Sequence, residues 1–75
     1  MLKFYGKTYM YQGTKIGVCE LNSGLFKGCG AYAYLDLKYG IHTTRMPGSL
    51  FETAEIAQKN LDEFAREEKL TEVFA

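Results

Sequence analysis

Alternation of side-chain type is the feature that most constrains the fold, and it begins in KFYGKTYMY, residues 3–11. In a β-strand, successive side chains point to opposite faces of the sheet. One face of this strand then carries lysine and tyrosine, and the other carries apolar and small side chains. The stretch AYAYLDLKYGIH, residues 31–42, alternates in the same way. We therefore expect two strands that each bury one face.

A further strand is predicted between these two, over residues 15–21, because Gly13 marks a tight hairpin turn before it. The register of the hairpin decides which face each residue takes. A two-residue loop places Met10 opposite Lys15, and a three-residue loop places Met10 opposite Ile16. We prefer the second register because it keeps one face apolar. The glycine-rich stretch LNSGLFKGCG then forms a turn that leads into the next strand.

A helix is predicted after MPGS, which breaks the strand pattern. Apolar residues recur there at steps of three and four, the spacing of one helix face. Ser49 with Glu52 fits a capping box, and Thr53 is the alternative N-cap. The tail LTEVFA either docks on the sheet or adds a short strand. The apolar stripe of the helix consists of Leu50, Ala54, Ala57, Leu61, Phe64 and Ala65.

Together these elements predict a single α+β domain, residues 1–75. Its sheet is a three-stranded antiparallel β-meander, or a four-stranded one if residues 41–45 form a strand, with one C-terminal α-helix packed on one face. Burying each large side chain beneath that helix contributes roughly 1.5–3 kcal/mol. The face assigned to the helix carries Phe4, Met10, Ile16, Val18, Ala33, Leu35 and Leu37.

The other sheet face, left open in this arrangement, is the predicted binding surface. Tyrosine offers a large apolar area with a polar tip, and it loses little conformational entropy on binding. Strand propensity accounts for one or two exposed tyrosines, but less readily for five on one face. His42 is a further candidate. The predicted partner-binding residues are Lys3, Tyr5, Lys7, Tyr9, Tyr11, Lys15, Tyr32, Tyr34 and Lys38.

Formal charge sums to zero over the chain, which argues against a protein that simply coats a polyanion. Residues 1–49 hold six basic and two acidic residues, whereas residues 50–75 hold three basic and seven acidic ones. The start of the sequence lacks the apolar run of a signal peptide, and no apolar run approaches membrane-spanning length. We therefore expect a cytoplasmic protein with no membrane partner.

The two cysteines fall on opposite faces by parity, Cys19 on the open face and Cys29 on the core face. We expect two thiols rather than a disulfide, with Cys19 the more reactive. Two cysteines and His42 are too few ligands for a metal site. A Cys19–His42 pair also lacks an orienting group and an oxyanion hole. The sequence therefore predicts no metal site, no cofactor and no enzymatic activity.

The order strand, strand, strand, helix resembles the sheet half of double-stranded-RNA-binding domains, and also small DNA-binding domains at the start of some integrases. The stretch FETAEIAQKNLDEF is similar to the final helix of many short phage-type proteins. Double-stranded-RNA-binding domains carry a basic start to this helix, whereas Glu52 and Glu55 stand there in this chain. Their first helix is missing too, so no functional residue is carried over.

Two functions are consistent with the open face. The first is a non-catalytic binding protein that docks a protein partner, as an inhibitor or adaptor of the kind encoded by phages and mobile elements. A homodimer through the same face is a variant of it. The alternative is a nucleic-acid-binding module in which lysines meet phosphates and tyrosines stack on bases. We prefer the first because the face has at most one arginine, the residue that does most base-edge recognition.

Overall fold

A computed structural model of the chain describes residues 4–22, 24–36 and 42–73, including the side chains of all of these except 35, 36 and 42–48. The elements are β1 (Thr8–Tyr11), β2 (Thr14–Glu20), β3 (Gly30–Asp36), β4 (His42–Phe51), α1 (Ala54–Glu68) and β5 (Thr71–Val73). All neighbouring strands are antiparallel, in the order β4-β3-β2-β1-β5. The predicted class, α+β with an antiparallel sheet and a C-terminal helix, is confirmed. The predicted number of strands, three or four, is wrong, because the described residues form five.

The fourth strand is longer than residues 41–45, because β4 continues through MPGS up to Phe51. This segment was predicted to break the strand. Since β4 lies at the edge of the sheet, the missing N–H of Pro47 is tolerated there. A register shift between Ala31 and Ala33 of β3 accommodates the irregular part of β4.

The fifth strand comes from the tail after the helix, which confirms one of the two alternatives for LTEVFA. The helix ends at Lys69, whose φ of 54° is left-handed, and the N–H of Leu70 donates to the carbonyl of Ala65 at 2.8 Å. This turn returns the chain to the sheet, where β5 pairs with β1. The hydroxyl of Thr8 donates to the carbonyl of Val73 at 3.2 Å and ties the two strands together.

The hairpin between β1 and β2 has the two-residue loop, so the preferred three-residue register is wrong. Met10 pairs with Lys15, and Tyr9 pairs with Ile16. The loop residues Gln12 and Gly13 both have positive φ, 50° and 80°. Two such residues form a turn whose twist matches that of the flanking strands, and this local preference outweighs the mixing of an apolar with a charged side chain.

The helix begins after Thr53, whose side-chain oxygen accepts a hydrogen bond from the N–H of Ile56 at 3.1 Å. Of the two N-cap alternatives, Thr53 is therefore confirmed. The stripe prediction is confirmed for the four buried helix residues, whereas Leu50 belongs to β4. Those four residues are Ala54, Ala57, Leu61 and Ala65.

The two sheet faces are composed differently from the prediction. Ile16 and Val18 pack under the helix, as expected. Phe4 and Ala33 instead belong to a second cluster around Cys19, and Met10 is exposed. The hairpin register turns Met10 away from the helix, because the partner of Ile16 in β1 is Tyr9, and the pairing of β2 with β3 sets Ala33 opposite Gly17. Leu37 and the side chain of Leu35 lie outside the described residues.

Candidate functional site

Tyr9 was predicted to lie on the binding surface, but it is buried. Its side chain is 7% exposed and packs beneath α1. Its hydroxyl donates to Oδ1 of Asp62 at 2.6 Å. Burial, together with this hydrogen bond and the carboxylate charge, raises the pKa of Tyr9 to about 12. Tyr9 therefore joins the sheet to the helix and is not available to a partner.

Tyr32 and Tyr11 also face the helix. The hydroxyl of Tyr32 donates to the side-chain oxygen of Asn60, and its ring stacks on Phe51 with centroids 5.4 Å apart. Burial, followed by the charges of acidic residues on the helix, raises the pKa of Tyr32 to about 12. Tyr11 packs edge-on against Phe64, also with centroids 5.4 Å apart. The prediction that these tyrosines form an open face is wrong, because the hairpin register turns Tyr11 toward α1 and Tyr32 pairs with Val18, which packs under the helix.

The lysines of the predicted surface do not share that face. The Nζ atom of Lys15 lies 5.5 Å from the ring centroid of Phe4, on the side of the sheet away from α1. Lys7 is exposed, and its Nζ lies 3.7 Å from Oε1 of Glu72. Lys3 and Lys38, as well as the side chain of His42, lie outside the described residues. The predicted surface is thus divided between two faces and a strand edge.

Two further tyrosines of the set, Tyr34 and Tyr5, lie at opposite ends of the sheet. Tyr34 is half-buried beside the hairpin, since it pairs with Ile16. Tyr5 is exposed, and its N–H donates to the carbonyl of Val18 at 2.6 Å, near the other end of β2. Tyr5 lies with another group of exposed apolar side chains.

The loop between β2 and β3 carries the most exposed apolar side chain among the described residues, Leu25, at 97%. Phe26 beside it is half exposed. Large apolar side chains that stand out together commonly mark an interaction site. The sequence signal for this site was present, because LF stands between glycines in a stretch that otherwise reads as a turn.

Hydrogen bonds hold the backbone of this loop. At its base, the N–H of Gly28 donates to the carbonyl of Leu21 at 2.7 Å, and the N–H of Leu21 donates to that of Cys29 at 2.8 Å. Nearer the tip, the N–H of Cys29 donates to the carbonyl of Phe26 at 2.9 Å. These bonds hold residues 24–29 against the end of β2, which lowers the entropic cost of binding at Leu25 and Phe26.

Two further exposed apolar residues lie at this end of the sheet. Tyr5 is placed there by its bond to β2. Ile56 is placed there by the first turn of α1, because a Cβ on Gly30 would lie only 2.4 Å from Cα of Ala54. Met10, the remaining large apolar residue with comparable exposure in the described ranges, lies at the opposite end. We call this group the apolar end, which comprises Tyr5, Leu25, Phe26 and Ile56.

The apolar end has an acidic surround. Glu20 closes β2 just before the loop, and Glu52 and Glu55 flank the start of α1. All three are exposed, as is Lys27 in the loop. This surface therefore combines apolar side chains with an excess of negative charge.

The cysteines differ in burial from the prediction. Cys19 is fully buried and Cys29 is half-buried, and no disulfide joins them. Parity placed Cys19 correctly on the face away from the helix. It is nevertheless covered, because Phe4, Leu21 and Leu50 pack around it. The expectation that Cys19 is the more accessible thiol is therefore wrong.

Comparisons of the chain with protein-family models, with curated proteins and with solved structures found no match. Within the described ranges, no three histidine, cysteine or acidic side chains are grouped so that they could hold a metal ion. The same residues contain no helix with the length and apolar character needed to cross a membrane.

Proposed function

We propose that this chain is a small non-catalytic binding protein that docks a protein partner through its apolar end, and so acts as an inhibitor or adaptor. The observation that carries the proposal is Leu25, 97% exposed on a loop whose backbone is held by hydrogen bonds. A partner that covers the leucine and the phenylalanine removes their apolar surface from water, and this burial lowers the free energy of the complex.

The partner we propose has a concave apolar site with a basic rim. Leu25 and Phe26 project from the end of the sheet, so a complementary surface must be hollow. The exposed carboxylates of Glu20, Glu52 and Glu55 then meet basic side chains. The same carboxylates repel phosphate backbones and anionic lipid surfaces, which favours a protein over a nucleic acid at this end.

A photo-crosslinking amino acid at position 25, introduced in the native host cell, tests the proposal. Met10, exposed at the other end of the sheet, is the matched control position. We expect one protein to be crosslinked from position 25 and not from position 10. The recovered protein is then purified and its affinity for the wild-type chain is measured with and without nuclease.

Substitutions then separate the apolar end from the rest of the surface. Leu25→Ser should weaken binding about 10- to 100-fold, because a buried leucine contributes roughly 1.5–3 kcal/mol. Met10→Ser should leave the affinity unchanged. Unaltered affinity in a Leu25→Ser/Phe26→Ser double variant, or crosslinking from both positions alike, contradicts the proposal.

Among the described lysines, the nucleic-acid alternative depends on Lys7 and Lys15, which line a pocket of about 380 Å³ together with Phe4. Two phosphate contacts predict a log–log salt slope of about −2 on duplex DNA. We expect no micromolar binding to duplex or single-stranded nucleic acid at physiological salt. Tight binding with such a slope, lost in a Lys7→Gln/Lys15→Gln variant, would favour the alternative over the apolar end.

A further inference from the structure

A second recess lies on the helix-facing side of the sheet, at the hairpin end and therefore away from the apolar end. Its volume is about 210 Å³. Among the residues whose side chains the structure describes, no charged one lines it. We call it the tyrosine slot, and its lining residues are Tyr11, Gln12, Thr14, Ile16 and Tyr34.

Strand register builds the slot. Thr14 and Ile16 of β2 form its floor, because they share the helix-facing side with their partners. Tyr11 of β1 pairs with Thr14, and Tyr34 of β3 pairs with Ile16. The two tyrosines therefore rise on either side of β2, offset by two residues along it and about 12 Å apart at the backbone. An aliphatic floor between two aromatic walls is the result.

Two of these positions are held before any ligand enters. Tyr11 is fixed by its edge-on contact with Phe64, whose rings meet at 68°. The side-chain amide of Gln12 donates to the hydroxyl of Tyr11 at 3.4 Å. Ile16 is fully packed in the core. A preformed wall and floor reduce the ordering that binding would otherwise require.

We propose that the tyrosine slot binds a single aromatic ring that carries a neutral polar group, such as a phenol or an aryl amide. An apolar cavity of about 150 Å³ holds one benzene molecule, so the slot holds one substituted ring. It is smaller than the sites of roughly 300–1,000 Å³ that take drug-sized ligands. The tyrosine hydroxyls and the amide of Gln12 are the groups that would bond the polar substituent.

A neutral ligand fits better than a charged one. Among the described side chains no cation lines the slot, and exposed Glu63 and Glu67 lie on α1 one residue before and three residues after Phe64, which packs on Tyr11. An aryl carboxylate would lose hydration without gaining a counter-charge. Discrimination between p-cresol and 4-methylbenzoate therefore reports on the slot itself.

The test is a titration of the isotope-labelled chain with p-cresol, followed by NMR. We expect saturable shift changes at Ile16, Tyr11 and Tyr34 with millimolar or tighter affinity, and weaker binding of 4-methylbenzoate. Tyr34→Ala should weaken p-cresol binding about tenfold, since a wall is removed. Tyr5→Ala, which removes an exposed tyrosine at the other end, should leave it unchanged.

A second arm identifies where the ring comes from. Tighter binding of the blocked peptide Ac-Ala-Tyr-Ala-NH₂ than of p-cresol supports a slot that takes a tyrosine side chain of another protein. Equal or weaker binding of the peptide supports a slot for a free small molecule. Three results with the wild-type chain overturn the proposal: no saturable shifts, shifts centred on the apolar end, or equal affinity for p-cresol and 4-methylbenzoate. These results do not depend on Tyr34→Ala, so the test stands even if that variant fails to fold.

Discussion

The two faces of the sheet bury their residues in opposite ways. Beneath α1, the sheet supplies large side chains such as Tyr9 and Tyr32, and the helix supplies small ones such as Ala54 and Ala57. On the other face the sheet supplies small side chains, and Cys19, Ala31 and Ala33 are fully buried there. Their described cover consists of Phe4, Leu21 and Leu50.

The difference shows what tyrosine needs in order to be buried. Under the helix, the rings of Tyr9 and Tyr32 lie among apolar groups, and their hydroxyls find Asp62 and Asn60 on the helix. A buried hydroxyl with a partner is stable where an unpaired one is costly. A face rich in tyrosine is therefore as suitable for a core as for a binding surface, provided that the opposing helix is polar at the right positions.

Leu61→Ala is expected to have the largest effect, because Leu61 is 0% exposed at the centre of the helix-facing core. The cavity should lower the free energy of unfolding by about 2–5 kcal/mol. Chemical denaturation followed by circular dichroism measures the loss. Leu25→Ala is the matched control and should change stability by less than about 0.5 kcal/mol. Equal stabilities would mean that α1 does not carry the core.

Much of the fold is predictable from sequence because its signals are local and periodic. The helix stripe, the hairpin at Gly13 and the alternation in β2 and β3 each follow from spacing. Parity divides the side chains of a strand between two faces, but it does not say which face is covered. For β1 that choice depended on one residue of hairpin register, which moved Tyr9 and Met10 to opposite sides from those expected, and for β3 it depended on the pairing of Tyr32 with Val18.

The candidate site was harder to predict than the fold. Tyr5, Leu25 and Ile56 come from three separate segments, and the fold brings them to one end. Exposure of a leucine is not visible in composition, because the same LF pair in a turn can fold inward. The tyrosine slot likewise depends on Tyr11 and Tyr34 standing across β2, which only the correct register provides.

Gly17→Val is expected to have the next largest effect, on the face away from the helix. A Cβ on Gly17 would lie 2.3 Å from Cδ1 of Phe4 and 2.8 Å from Cγ2 of Thr8. Overpacking should lower the free energy of unfolding by about 1–3 kcal/mol. The loss should shrink in a Phe4→Ala background, because the ring that occupies the space is gone. Strict additivity in this double-mutant cycle would place Phe4 elsewhere.

Tyr9→Phe tests the hydrogen bond from the sheet to Asp62 on the helix. We expect a loss of about 0.5–1.5 kcal/mol, since Asp62 loses one donor but keeps Gln58 at 3.0 Å. Tyr5→Phe removes an exposed hydroxyl and should be neutral by comparison. Equal effects of the two substitutions in urea denaturation would show that the helix contact contributes nothing.

The pH dependence of the same variant sharpens this test. The pKa of Tyr9 rises from 10.0 to about 12 on folding. Below pH 10 the hydroxyl is protonated in both states, and its full contribution to the free energy of unfolding is present. Between pH 10 and pH 12 the unfolded chain releases a proton that the folded chain retains. Stability should therefore fall as pH rises through this range. Tyr9→Phe should show a shallower fall than the wild type, and an equal slope would contradict the assigned cause.

The last prediction concerns the sheet face away from the helix and tests how well Cys19 is covered there. Its substitution has the smallest expected effect on stability. Maleimide should label half-buried Cys29 faster than fully buried Cys19 under native conditions, because reaction requires access to the thiol. Phe4→Leu keeps most of the packing volume and should cost less than about 1.5 kcal/mol. The smaller side chain covers less of Cys19, so labelling of Cys19 should accelerate while that of Cys29 stays constant. Cys19 labelling as fast as Cys29 in the wild type would mean that this face is open, and the contrast between the two faces would then rest on the helix alone.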